Sequence, residues 1–184
     1  ELSEKLGIKK IERIDAFDIS HQYMQQGIGA CIVFAESGAS KKDYRLFNIP
    51  NNIAGNDVAS MEHVISRRLK YYEDQKPDLI LIDGGRTQLN FTNKILKNFD
   101  MEKILVLGIA KGKGRVRATE TIYTSKGVIE IDPHLESFKL LSELRDESHR
   151  FAITASRKKI RKSNKYSVLD SIKGIGPATK KELL

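Results

Sequence analysis

The chain has a single cysteine, Cys31, so it can form no internal disulfide, and no Cys/His metal cluster is available to it. Between Ala30 and the apolar run Ile32-Val33-Phe34, that thiol reads as a small apolar residue inside a strand, in keeping with a reducing, cytoplasmic compartment. Long apolar runs are missing too: none approaches the ~20 residues of a membrane-spanning helix, and the first residues lack the pattern of a secretory signal. The chain opens at Glu1 rather than Met, which reads as part of a longer polypeptide. It shows no internal repeat and no low-complexity tract, which excludes solenoid and compositionally biased classes.

What is present fits one domain of ordinary size with a small appendage: 184 residues, 40% of them hydrophobic, enough for a single sizeable core. The net charge of +8 is confined to one end. Residues 150–184 hold ten Lys or Arg against Asp170 and Glu182, while the remaining 22 basic and 22 acidic residues cancel. Such asymmetry fits either a polyanion-binding end on a neutral body or a solvated basic helix face or tail.

Hydrophobic patterning sets the order of elements. Ile11–Ile19, Gly29–Ala35 and Asp43–Ile49 read as three strands of an antiparallel meander, separated by turns at Gly27 and Gly38. After a loop at Pro50 and Gly55, residues 57–73 have helical spacing, with Asn56 or Asp57 as cap. Leu79–Ile82 and Ile104–Ala110 are unbroken apolar runs, the mark of parallel strands buried on both faces. A helix over Thr87–Phe99, capped by Thr87, joins them. Beyond the basic loop Lys111–Arg117, Thr121–Tyr123 and Val128–Ile131 predict a short hairpin, and a long helix begins at Ser137. The expected fold is therefore α/β, a mixed five-stranded sheet flanked by helices. This is the element order of an RNase H-like sheet; a doubly wound dinucleotide fold would not begin with a meander.

Two carboxylates stand where strand apolarity ends: Asp18 after Ala16-Phe17, and Asp83 after Leu79–Ile82. A carboxylate at the end of a buried strand is costly unless a charge or a metal meets it. If the two strands are adjacent and parallel, both carboxylates reach one end of the sheet and suit Mg²⁺ or Mn²⁺, a pair of which could activate a water and stabilise the leaving oxygen in phosphodiester cleavage. Asp83 also reads as a turn residue before Gly84-Gly85, and Asp18 as half of an edge ion pair. His149, on the long helix, reads either as a ligand or as a half-buried helix histidine, and position alone does not rank it above His21, His63 and His134.

Five motifs occur in order: Phe17-Asp18-Ile19-Ser20-His21; Leu81-Ile82-Asp83-Gly84-Gly85 with Gln88-Leu89; Gly108–Gly112; the nine-residue run Arg145–Ile153; and Ser167–Asp170 followed by Gly174-Ile175-Gly176-Pro177. Over essentially its whole length the chain closely resembles the C-terminal half of the UvrC family, the incising subunit of bacterial nucleotide excision repair. The resemblance implies an RNase H-like endonuclease over residues 1–155, a basic linker over 156–166 and part of a helix-hairpin-helix over 167–184. It implies a metal-dependent incision on the 5′ side of a lesion, with Asp18, Asp83 and His149 as triad and Asp57 in a weaker role. Duplex DNA would be held by Lys111, Arg157, Lys158, Lys159, Gly174, Gly176, Lys180 and Lys181. The implied partners are damaged double-stranded DNA and UvrB, with UvrA upstream, and no small-molecule cofactor beyond the metal. Departures from the family pattern are Arg86-Thr87 in place of Lys-Gly, and Asn56 in place of an acid. Tyr44, Arg45, Arg67 and Arg68 are candidates for a DNA surface, and Glu120 and Glu147 for contact with the metal site; each also reads as solvated surface. The rival readings are a DNA-binding module without catalysis, and another RNase H-like nuclease such as a junction resolvase or an RNA–DNA hybrid nuclease.

Overall fold

In the computed structural model, residues 4, 6–7, 10–20, 27–72, 75–111, 120–164, 172, 174–176 and 179 are described, with backbone alone for Ser20, Lys111 and 161–164. The first apolar run forms β1 (Arg13–Ser20), an interior strand buried from Ile14 to Asp18. It pairs antiparallel with β2 (Ile28–Ala35). The short β3 (Gly38–Ala39) and β4 (Arg45–Asn48) share the outer edge of β2. On its other side β1 pairs parallel with β5 (Leu79–Asp83), and β5 with β6 (Leu105–Lys111). The hairpin β7 (Glu120–Thr124) and β8 (Gly127–Ile129) then extends the sheet antiparallel.

The five expected strands are all in this sheet, and β3, β7 and β8 bring it to eight. The hairpin joins because the free edge of β6 offers Gly108–Lys111 as a template for Glu120–Tyr123.

Helices cover both faces. α1 (Asp57–Leu69) and α2 (Arg86–Asn98) close one core with Phe17, Cys31, Ile80 and Ile82. α3 (Glu136–Asn164) closes the other with Ile14, Ala16, Ile32, Leu79 and Leu81. The odd and even residues of β1 thus face opposite cores, as a pleated strand buried on both sides requires.

The start of α1 is capped as expected, and the other helix ends differ from expectation in ways the contacts explain. The Asn56 side chain accepts the Ala59 N–H at 3.1 Å, so Asn56 caps α1. α1 stops at Leu69 rather than 73, and the Tyr72 N–H folds back onto the Leu69 carbonyl. α2 starts one residue before Thr87: the Gly85 N–H donates to Gln88 Oε1 at 3.1 Å, leaving Thr87 inside the first turn. The basic stretch expected to begin a linker at 156 continues α3 to Asn164.

Two glycines permit close approaches. A Cβ on Gly29 would lie 2.3 Å from Val64 Cγ2, so Gly29 lets α1 settle on β2; one on Gly108 would lie 2.8 Å from the Gly84 carbonyl oxygen. Most of the expected helix-hairpin-helix lies outside the described residues. Within it, Gly174 has φ +101° and the Ile175 N–H donates to the Ile172 carbonyl. Among the described residues no helix is long and apolar enough to cross a membrane.

Candidate active site

β1 and β5 run parallel with Phe17 beside Ile82, so the next residue of each strand, Asp18 and Asp83, comes to the same end of the sheet. Both continue the rows Ile14-Ala16 and Leu79-Leu81, which face α3. Apolar burial therefore carries the two carboxylates to the lip of the core, where Asp18 is buried and Asp83 half-buried. α3 crosses that lip. Leu141, Leu144, Ser148 and Ala152 form its buried stripe, and His149, next to Ser148, projects at its margin with 54% of the side chain exposed. His149 Nδ1 lies 3.2 Å from Asp18 Oδ2 and 4.0 Å from Asp83 Oδ2.

One ligand atom from each of Asp18, Asp83 and His149 falls within 4.8 Å of the others. Two carboxylates brought this close at the end of a desolvated sheet repel unless a positive charge stands between or beside them. Two hard oxygen donors and one imidazole nitrogen fit a divalent cation.

A second set of contacts, which local sequence signals did not single out, anchors α3 one turn before His149. Arg145 is buried and its guanidinium donates to Glu120, the first residue of β7, and to Asp146 Oδ1. The Ser142 hydroxyl donates to the other Glu120 oxygen. Burial works against the Arg145 charge, yet Asp146 and Glu120 hold its pKa above the ordinary value. Glu120 is thus engaged by α3 rather than by the acidic pair. Glu147 lies elsewhere as well: the Arg150 guanidinium grips it with two hydrogen bonds and holds its carboxyl below the usual range, against a smaller opposing effect of burial. The pairings of Arg145 with Asp146 and of Arg150 with Glu147 are local to the helix, whereas Glu120 reaches Arg145 across 25 residues, a pairing that only the packing of α3 on β7 decides.

The remaining candidates scatter. Asp57 begins α1, which packs on the opposite face of the sheet from α3, and it is not in the three-residue group. Lys111 ends β6, paired in register with Glu120. Arg157 and Lys158 are exposed and Lys159 half-exposed, on the C-terminal part of α3. Gly174 and Gly176 fall in the described turn, whereas Lys180 and Lys181, like His21, lie outside the described residues. Tyr44 is half-buried and packs edge-on against Phe151, with ring centroids 5.2 Å apart. Arg45, Arg67 and Arg68 line a cleft.

Comparison with known proteins gives a consistent result. The family described as "UvrC RNAse H endonuclease domain" matches residues 3–153. The UvrABC system protein C of Saccharophagus degradans is 40% identical over 190 residues, covering 100% of this chain and 31% of that protein. The protein of the same name from Mannheimia succiniciproducens is 42% identical over 192 residues, covering 100% of this chain and 32% of that protein. The chain thus spans about a third of the length of these relatives. Among solved structures, the catalytic domain of human Endonuclease V is similar with a TM-score of 0.47 at 15% identity over 86% of each chain, a likeness too loose to bear on the chemistry.

Proposed function

Since this chain belongs to the UvrC RNase H endonuclease domain family, we propose that it hydrolyses one phosphodiester bond on the 5′ side of a lesion in duplex DNA, in bacterial nucleotide excision repair. One observation carries the reading: Asp18, Asp83 and His149, far apart in sequence, converge within 4.8 Å at one end of the sheet. The oxygen-rich donor set favours Mg²⁺ or Mn²⁺, held by the two carboxylates with the imidazole completing the set. When bound, the cation supplies a lowered pKa for an attacking water and neutralises charge on the phosphoryl oxygens.

The chain's own residues do the rest. The apolar rows behind Asp18 and Asp83 keep water from one side of the site. Asp18, in contact with Nδ1, sets the tilt of the His149 ring. The exposed edge of that ring leaves room for a phosphate. Arg157, Lys158 and Lys159 supply sequence-independent phosphate contacts, supplemented by the hairpin at Gly174 and Gly176 with Lys180 and Lys181. Lesion choice belongs to UvrB, loaded with the help of UvrA, in the cytoplasm.

The test is incision of a lesion-containing duplex by the full-length protein with its partner subunits and Mg²⁺, with 5′ and 3′ cuts scored separately. Asp18→Ala, Asp83→Ala and His149→Ala are each expected to abolish the 5′ cut while leaving DNA binding intact. Persistence of the 5′ cut in all three would replace this reading with that of a non-catalytic DNA-binding module.

A further inference from the structure

On the face of the sheet away from the triad, a cleft of about 420 Å³ is lined by Arg13, Arg45, Arg67, Arg68, Leu46 and Tyr71, with Asp43, Phe47 and Gln75 completing it. That volume lies within the roughly 300–1,000 Å³ of small-ligand sites. Its floor is pre-built. Asp15 is fully buried, and its Oδ2 accepts from Arg68 Nε and Nη2 at 3.0 and 2.9 Å and from the Tyr72 hydroxyl at 2.7 Å. Asp15 Oδ1 accepts from Arg13 Nε at 3.0 Å, and Arg13 Nη1 reaches Gln75. Two guanidinium groups are thereby fixed at the base of the cleft by a carboxylate that takes no part in the triad.

The rim differs. Arg67 is exposed and has no carboxylate partner among the described residues, while Arg45 donates hydrogen bonds to the carbonyls of Lys42 and Tyr44 and lies within electrostatic reach of Asp43. Of the four large apolar side chains exposed among the described residues, two, Tyr71 at 71% and Leu46 at 47%, border this one cleft.

The geometry points to a binding site for a single-stranded nucleic-acid segment, with a phosphate among the arginines and a base stacked on Tyr71. Planar guanidinium groups match phosphate oxygens in pairs. An exposed aromatic beside a cationic groove is how single strands are held without sequence readout. Tyr71 sits in the turn that ends α1, where its N–H donates to the Arg68 carbonyl, and it borders the same cleft as Arg67, so base and phosphate of one nucleotide can be met within that cleft. The site is separate from the triad: Arg13 precedes Asp18 by five residues of β1, about 16 Å of strand, and faces the other core. The sheet stands between them, so the cleft holds a segment other than the one being cut, and its occupancy does not depend on the triad's being catalytic.

The test is fluorescence anisotropy of a fluorescein-labelled oligothymidine strand and of a labelled duplex hairpin with the full chain, in EDTA so that nothing is cut. Tyr71→Ala is expected to weaken the single strand about tenfold and the hairpin little, while Tyr71→Phe keeps the affinity. Arg45→Ala with Arg67→Ala is expected to lower the salt slope for the single strand by about 1.4. Tyr71, Arg45 and Arg67 all sit at an exposed rim, and circular dichroism melts serve to verify folding. Unchanged oligothymidine affinity in Tyr71→Ala overturns the proposal, as does equal weakening of single strand and hairpin. If poly-glutamate binding is weakened by Arg45→Ala/Arg67→Ala while oligothymidine is indifferent to Tyr71, the cleft is a docking site for an acidic peptide and the nucleic-acid assignment falls.

Discussion

Asp15 and Asp18 lie three residues apart on one strand, and their fates diverge because side chains alternate across it. Asp18 was legible from sequence, since it sits where apolarity runs out. Asp15 was not, since its partners Arg68 and Tyr72 lie more than 50 positions away on α1 and the turn after it, and no local pattern announces them. His149 was legible only through family resemblance, because the crossing of α3 over β1 alone decides which helix histidine meets the carboxylates. The buried Asp15 makes Arg68 a stability residue: Arg68→Ala strands a buried charge and is expected to cost about 3–5 kcal/mol, read from urea unfolding at pH 7. A loss below about 1 kcal/mol would mean that Arg13 and Tyr72 suffice. Cys31 adds a pH dependence. Burial, reinforced by Asp15, pushes its thiol well above the ordinary value. A pKa raised on folding gives stability that is whole below the unfolded value and lost as pH climbs past it. Unfolding free energy should therefore fall by up to about 1.4 kcal/mol per pH unit above roughly pH 9. Cys31→Ala should remove that part of the slope, leaving Tyr72, shifted the same way by burial, to act higher.

At the scale of elements, apolar run length and alternation revealed every long strand, because burial on one or both faces is written in local pattern. The ends were less legible: α1 stops early once Tyr72 turns back toward Asp15, and the basic stretch stays helical because α3 was already nucleated upstream. The contact between β5 and β6 links packing to chemistry. The Gly84 N–H donates to the Ile109 carbonyl at 2.9 Å, immediately after Asp83. A Cβ on Gly108 would press on the Gly84 carbonyl, a backbone atom with no rotamer to retreat to. Gly108→Ala is expected to cost about 1–3 kcal/mol and to weaken Mn²⁺ binding, measured by thermal melts and calorimetry together. Stability lost without any change in Mn²⁺ affinity would detach this contact from the site. The clamp from Glu120 to Arg145 acts on the other ligand. Arg145→Ala should lower the 5′ incision rate with duplex affinity unchanged, and Arg145→Lys, which keeps the charge but not the fork, should recover part of it.

For the molecule as a whole, the decisive asymmetry is electrostatic: a body of zero net charge ending in a segment of +8. Sequence alone left that segment as either a binding surface or a solvated face. The continuous helix supplies a geometric criterion. Arg157, Lys158 and Lys159 follow His149 by eight to ten residues on α3, about 12–15 Å along the axis at ~1.5 Å per residue. Phosphates on one strand advance ~3.4 Å along a duplex axis, so on a duplex lying along α3 these cations would stand about four phosphates from the triad. If they neutralise duplex phosphates, replacing all three by Ala should reduce the slope of log K against log salt by up to about 2.7, near 0.9 for each phosphate no longer neutralised. Affinity should then fall most at low salt, while incision at saturating DNA keeps its rate, because none of the three touches the reacting phosphate. A slope unchanged in the triple variant would assign the charge of α3 to solvation, and would leave duplex binding to the segment that follows it.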